Sequence, residues 1–151
     1  MSKEEFEDMP SENGQSESMK HVVESIVHSV RTEFGDKAEL FVPIVVRMDA
    51  LNCLEFEATK SPGVYLFIHD DYGCLKVGKN HLNASKRALE HCRDNTSSKD
   101  RTIQMKNLRG SEKTYMLVFA LQQHHSLHWV LALEYYLEKN FEPKIPSRRK
   151  G

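Results

Sequence analysis

Residues 61–80 decide the fold and read SPGVYLFIHDDYGCLKVGKN. Residues 63–68 are rich in β-branched and aromatic side chains, a composition typical of a strand. Two aspartates and a glycine lie within residues 70–73 and predict a turn. Residues 74–78 then return to a strand-like pattern. The stretch therefore predicts a β-hairpin over residues 63–78.

The segments after the hairpin alternate between helix and strand. Residues 82–93 have a helical pattern, and residues 94–111 are polar and predict a loop. Residues 114–121 predict a third strand. Ser126 is suited to cap a last helix, which runs to about Asn140 because prolines beyond it prevent its continuation.

The segment before the hairpin predicts a helix and a strand-like run. Apolar residues recur at helical spacing up to Gly35, a plausible stop: Val22, Val23, Ile26, Val27, Val30 and Phe34. Residues 40–46 are strand-like, and Pro43 within them predicts an edge position or a bend. Residues 49–58 are ambiguous between helix and strand. The helix offers a surface for pairing two copies into a homodimer, although covering the sheet is the commoner use.

The order strand, strand, helix, strand, helix predicts the α+β class. We expect a small three-stranded, mostly antiparallel sheet flanked by helices, with an N-terminal helical extension. Three regions follow from this order. Residues 1–17 are acidic and predict a flexible tail, residues 18–60 form the helix and strand extension, and residues 61–151 form the core with a basic C-terminal tail.

Composition and charge narrow the class of protein. The 151 residues fit one domain, and no apolar run is long enough to span a bilayer. Because the N-terminus also lacks a hydrophobic signal segment, we expect a cytoplasmic protein without a membrane partner. The net charge is −1, but residues 143–151 hold four basic residues and no acid. That end is either a phosphate contact or a solvated basic tail.

Cysteine and histidine patterns favour no metal centre of their own. Cys53, Cys74 and Cys92 match no CxxC spacing, so we expect three reduced thiols. His124, His125 and His128 cluster in sequence, but no cysteine or acidic residue lies at ligand spacing beside them. Surface or interface histidines are therefore favoured over a zinc site.

Glu134 lies in an apolar stripe of the last helix. At about 100° per residue, four apolar residues lie within about 60° of it: Leu127, Val130, Leu137 and Phe141. A buried carboxylate needs a cation, hydrogen-bond donors or a proton to compensate its charge. Two interpretations stay open, a metal ligand and a glutamate paired with an internal arginine.

Arg87 and His91 share one face of the middle helix, because they are four residues apart. Ala84 and Ala88 lie on the same stripe and leave room for the two long polar side chains. An arginine suits a phosphate and a histidine suits proton transfer near neutral pH. The alternative is a solvated basic face.

The hairpin resembles the signature of the GIY-YIG nuclease superfamily. Gly63-Val64-Tyr65, ten residues, and then Lys76-Val77-Gly78 are most similar to the form in the N-terminal nuclease domain of the excision-repair incision subunit. Arg87, His91 and Glu134 stand in the order in which the family has an arginine, a histidine or tyrosine, and a metal-binding glutamate. The resemblance covers about residues 61–143. Lys76 replaces the family's second tyrosine, as in some restriction-enzyme-like members.

The resemblance implies a metal-dependent DNA endonuclease that hydrolyses phosphodiester bonds. Tyr65 would take a proton from the attacking water, Lys76 would orient that water or neutralise phosphate charge, and Arg87 would stabilise charge on the phosphate. His91 would assist water activation or contact the phosphate, and Glu134 would hold Mg²⁺ or Mn²⁺.

The remaining expectations concern DNA and the loss of activity. Lys79, Arg148 and Arg149 are candidates for contacts with the DNA backbone, whereas Asn80 is expected to cap a helix. A fold-preserving, catalytically weakened module that binds nucleic acid or a protein partner is the alternative. It is motivated by Lys76, by Pro146 near the place of a family asparagine, and by a core with only residues 18–60 left to bind DNA.

Overall fold

The computed structural model describes residues 17–48, 61–93, 98, 103–108, 111–122 and 126–145. The predicted hairpin is present at one side of its sheet. Strand β2 (Gly63–His69) pairs antiparallel with β3 (Gly73–Asn80). Gly73 lies in the left-handed region at φ 77°, where a residue without a Cβ is unstrained. The backbone N–H of Asp71 donates to Nδ1 of His69 at 3.0 Å and closes the turn.

The hairpin belongs to an antiparallel sheet that has four strands within the described residues, one more than predicted. β4 (Thr114–Leu121) pairs with β2, and β1 (Phe41–Arg47) pairs with β4, so the order is β1-β4-β2-β3. Pro43 lies on β1, at the edge, where a missing backbone donor costs no ladder hydrogen bond on the open side. The predicted edge position of Pro43 is therefore confirmed, but its run joins the sheet as a full strand.

Three α-helices surround the sheet in the described part of the chain. α1 (Glu17–Phe34) ends where Gly35 turns to φ 57°, and a 3₁₀ helix (Gly35–Leu40) leads from it into β1. α2 (Ala84–Arg93) follows the hairpin, and α3 (His128–Phe141) follows β4. The class is α+β, as predicted.

Side chains alternate between the two faces of the sheet, as the strand geometry requires. Val64 and Leu66 of β2 pack with Ile26 of α1 and Leu133 of α3, and we call this the α1/α3 face. The intervening residues of β2 pack on the other side with residues of α2, and we call this the α2 face. Most apolar residues of α1 are thus buried against the sheet, which was the alternative to pairing two copies.

The segment predicted as a polar loop contributes to the core. Within it the structure describes a 3₁₀ helix (Met105–Asn107), and Ile103, Met105 and Leu108 are buried on the α2 face. The prediction of a polar loop over residues 94–111 did not include this burial, because most residues of the stretch are polar and only three apolar ones pack together on the α2 face.

After α3 the chain passes along the edge of β3. The backbone N–H of Lys144 donates to the carbonyl of Cys74 at 3.1 Å, and that of Ile145 donates to the carbonyl of Leu75 at 2.7 Å. Ile145 is buried on the α2 face, so the chain crosses from one face of the sheet to the other. These bonds satisfy part of an edge that would otherwise be open.

Several predictions lie outside the described residues. They concern residues 1–16, Cys53, the side chains of His91 and Cys92, the pair His124 and His125, and the tail residues Arg148 and Arg149. Among the described helices, none is both long and apolar enough to cross a membrane.

Candidate active site

Tyr65 lies across Gly78, its partner on the neighbouring strand. The two residues are paired in the register of β2 and β3. A Cβ atom at position 78 would overlap the hydroxyl and Cζ atoms of Tyr65. The absence of a side chain at Gly78 therefore makes room for the phenol ring. Phe67 packs against the same ring edge-to-face, with 6.0 Å between ring centroids, so the ring is held on two sides.

Lys76 shares the α2 face with Tyr65. Its partner on β2 is Phe67, and paired residues point to the same side of a sheet. Tyr65 is 1% exposed and Lys76 is 5% exposed. A phenol and a lysine side chain thus lie in one buried layer, two residues apart along the hairpin. Lys79 pairs with Val64 and belongs to the opposite face, where it is half-buried.

Helix α2 covers this layer and carries Arg87. Ala84 and Ala88 are fully buried against the α2 face, because their methyl groups let the helix approach the sheet closely. Arg87 lies one turn after Ala84, on the same stripe, and is half-buried. His91 lies in the last turn of α2, again one turn further on.

Two asparagines position the start of α2. Oδ1 of Asn83 accepts a hydrogen bond from the backbone N–H of Lys86 at 3.0 Å, so Asn83 is the N-cap. Asn80, the predicted cap, is instead the last residue of β3. Its Oδ1 accepts from the backbone N–H groups of Leu82 and Asn83, both at 2.8 Å. The prediction of an asparagine cap was right in residue type, but the cap is Asn83, three residues after Asn80.

Glu134 is buried, as the apolar stripe predicted, with 3% of its surface exposed. Its neighbours on α3, Leu133 and Leu137, pack on the α1/α3 face. On one flank of α3, Tyr136 contacts Phe34 of α1 at 5.6 Å between ring centroids. At about 100° per residue, Glu134 lies on the opposite flank from Tyr136.

That flank of α3 faces the edge strand β3. Glu138 follows Glu134 by one turn and influences Cys74 of β3. Burial, and then the Glu138 carboxylate, raise the pKa of the Cys74 thiol to about 12. The structure therefore brings Tyr65, Lys76 and the side of α2 that carries Arg87 to the α2 face of the sheet. Glu134 lies on a helix of the other face, at the edge strand that carries Lys76.

The ligand set that the described residues offer to a cation is small. No group of three or more His, Cys, Asp or Glu residues is close enough to hold a metal ion within the described ranges. A carboxylate is nevertheless the donor type that Mg²⁺ and Mn²⁺ prefer, so Glu134 fits as one ligand. Phosphate oxygens and water would have to supply most of a coordination shell.

A cavity of about 310 Å³ lies elsewhere, between α1, the 3₁₀ helix and β1. Val30, Pro43 and Phe119 contribute apolar wall, and Arg31 and Asp36 contribute polar rim. Because these residues belong to the α1/α3 side, the cavity is separate from Tyr65. The buried layer beneath α2, and not the cavity, holds the predicted chemistry.

No protein-family model, curated protein or solved structure matches this chain. The case for a function therefore depends on the residues themselves. Sequence reasoning had named Tyr65, Lys76, Arg87 and Glu134, but it missed that Gly78 accommodates the Tyr65 ring. The glycine at position 78 is visible in the sequence. That Tyr65 is its partner follows only from the register between β2 and β3.

Proposed function

We propose that the protein is a divalent-metal-dependent DNA endonuclease of the GIY-YIG type, which hydrolyses phosphodiester bonds. One observation carries the proposal. The Tyr65 phenol lies across Gly78 in the same layer as Lys76, beneath the helix that carries Arg87. The hairpin thus brings the tyrosine of the first motif and the glycine of the second motif together, with Lys76 in place of the family's second tyrosine.

Residues of the α2 face would together activate the attacking water. A phenol loses its proton only at about pH 10 unless cationic neighbours stabilise the phenolate. Lys76 supplies such a charge within the same buried layer, where electrostatic interactions are stronger than in water. Tyr65 would then accept a proton from the attacking water. Arg87 would stabilise the charge that develops on the phosphate, and His91 would assist either step.

Glu134 would hold the metal ion. When bound, Mg²⁺ or Mn²⁺ supplies Lewis-acid stabilisation of the phosphate oxygens. The role of Glu134 is to orient a carboxylate towards that ion from the edge of β3, where the burial of the side chain limits its motion. Lys79, Arg148 and Arg149 would contact the DNA backbone, contacts that position the substrate without reading its sequence.

A second function is favoured by the burial of the same two residues. Tyr65 and Lys76 expose 1% and 5% of their surfaces, so a phosphodiester reaches them only if the layer beneath α2 opens. A module of this fold that binds nucleic acid or a protein partner without cleavage needs no such opening. This second candidate retains the fold and gives Tyr65 and Lys76 a purely structural role.

Nicking of supercoiled plasmid in Mg²⁺ or Mn²⁺ tests the proposal. Tyr65→Phe removes one hydroxyl and keeps the ring, and Tyr72→Phe makes the same change at the exposed hairpin tip. We expect wild type and Tyr72→Phe to nick alike, and Tyr65→Phe and Glu134→Gln to nick about 100-fold more slowly or worse.

Two outcomes would contradict the proposal. If wild type does not nick in either metal, the endonuclease is wrong, and DNA binding without nicking would favour the second candidate. If Tyr65→Phe nicks as fast as Tyr72→Phe, any nuclease activity does not use this site.

A further inference from the structure

Leu82 is the most exposed large apolar residue in the described part of the chain. It exposes 82% of its surface, in the turn between β3 and α2. The other exposed apolar residues are covered to a greater extent, for example Leu131 of α3 at 43%. Single exposed apolar residues are common on protein surfaces, so exposure alone assigns no role to Leu82. Its setting does.

The backbone around Leu82 is held in place on both sides. Oδ1 of Asn80 accepts hydrogen bonds from the backbone N–H groups of Leu82 itself and of Asn83. Asn83 caps α2, and the backbone N–H of Ala84 donates to the carbonyl of Ser61 at 3.0 Å. Leu82 thus projects from a turn with defined hydrogen bonds. Ordering it on a ligand would therefore cost little backbone entropy.

The surroundings of Leu82 are basic. Residues 81–89 contain Lys86 and Arg87 and no acidic residue. Lys86 is exposed and Arg87 is half-buried, and both lie on the first turn of α2, directly after the turn that presents Leu82. A polyanion is attracted to such a pair of cations.

Leu82 also lies close to the candidate active site. Gly78 is the partner of Tyr65, and Asn80 is two residues further along β3, about 7 Å at the rise of a strand. The turn with Leu82 follows at once. A nucleic acid that contacts Lys86 and Arg87 on the first turn of α2 therefore meets Leu82 at the adjoining turn.

We propose that Leu82 is a wedge that inserts between stacked bases of duplex DNA held by Lys86 and Arg87. Apolar side chains that enter a base step unstack it and bend the duplex, and basic residues around them hold the phosphates. The inference deepens the proposed endonuclease and rests on its assignment of DNA as substrate. It adds that the preferred substrate is DNA whose bases unstack readily, such as duplexes with flexible pyrimidine–purine steps.

Base unstacking is measured with 2-aminopurine, whose fluorescence rises when it leaves the stack. Duplexes carry the probe at successive positions, and EDTA is present so that binding is observed without cleavage. We compare wild type with Leu82→Ala and with Leu131→Ala, which makes the same change at an exposed position on α3. Affinity is measured on the same duplexes by fluorescence anisotropy at several salt concentrations.

We expect wild type and Leu131→Ala to raise the fluorescence severalfold at one or two adjacent positions. Leu82→Ala should abolish the rise and bind roughly 5- to 10-fold more weakly, with the salt dependence unchanged. Lys86→Ala should instead reduce the salt slope by about one phosphate contact and keep the fluorescence rise.

Three results would overturn the wedge: no binding of DNA by wild type, binding without a rise at any position, or a rise that survives Leu82→Ala. The plasmid assay is independent of this readout. A protein that unstacks bases through Leu82 but does not nick would support the wedge and contradict the endonuclease.

Discussion

The position of the Tyr65 ring depends on the absence of a side chain at Gly78. Gly78 has no Cβ, and the phenol ring occupies the space that a Cβ would take. Aromatic rings that cover a cross-strand glycine recover packing that the glycine alone cannot provide. Tyr65 and Gly78 are therefore one structural unit, and neither should be substituted without an effect on the other.

Gly78→Ala should lower the free energy of unfolding by about 1–3 kcal/mol, because the added methyl group displaces a ring that is packed on both sides. Tyr65→Ala removes the ring, so in that background the same substitution should cost less. Urea unfolding of the four proteins of this double-mutant cycle gives the coupling energy, which we expect to reach about 1 kcal/mol or more.

Gly73→Ala is the control for Gly78→Ala. A Cβ at position 73 meets no atom within 4 Å, but the residue has φ 77°, so its cost is local backbone strain. That cost should be the same with and without the Tyr65 ring. Equal coupling at the two glycines would show that Tyr65 does not depend on Gly78.

Single residues differed in how far the sequence predicted their environment. The burial of Glu134 was predictable, because its apolar neighbours recur on one helix and helical geometry needs no partner. The partnership of Tyr65 and Gly78 was not, because it depends on the register between two strands and not on either residue alone. Helical wheels also placed Leu127 in the buried stripe, whereas it is exposed just before α3 begins.

Helix ends provide a test at the scale of elements. Asn83 caps α2 through its side chain, whereas Ser126, the predicted cap of α3, bonds instead to the ring of His128. α3 begins after Leu127 without any side-chain cap. The sequence predicted Asn80 and Ser126 as caps, but neither caps a helix, and Asn83, which was not predicted, caps α2.

Asn83→Ala should lower the free energy of unfolding by about 1 kcal/mol, because the N–H of Lys86 loses its acceptor. Ser126→Ala should change it by less than about 0.5 kcal/mol, because no backbone donor of α3 depends on that hydroxyl. Chemical denaturation with both variants measures the difference. A larger loss for Ser126→Ala than for Asn83→Ala would contradict these cap assignments.

The strands were predicted better than the connections between them. β2, β3 and β4 have compositions that distinguish them locally, and all three were identified. β1 was placed in an extension, because Pro43 divides its apolar run and a sequence does not reveal which strand will receive an edge. The burial of Ile103, Met105 and Leu108 could not be predicted from their own polar stretch, since it depends on a surface supplied by α2 and the sheet.

At the scale of the whole molecule, the sheet is buried on both faces by segments distant in sequence. α1 and α3 cover one face and α2 covers the other, and residues 144–145 connect the two faces around β3. The proposed site is on the α2 face, but its glutamate comes from the α1/α3 side. Any catalytic role for Glu134 therefore requires both layers, including α1, to be folded together.

Ile26→Ala and Val22→Ala test whether α1 folds as part of this single core. Ile26 is buried on the α1/α3 face, whereas Val22 lies one turn earlier and is exposed. Ile26→Ala should cost about 2–4 kcal/mol through the cavity that it leaves, and Val22→Ala should cost less than about 0.5 kcal/mol.

Trp129, the sole tryptophan, packs against Phe34 of α1 at 6.4 Å between ring centroids, so its fluorescence reports this interface. Circular dichroism reports the backbone as a whole. Coincident urea transitions by the two probes, both shifted by Ile26→Ala, are expected for one cooperative unit. A fluorescence transition that precedes the backbone transition would instead make α1 an independently unfolding extension, and the site beneath α2 would not depend on it.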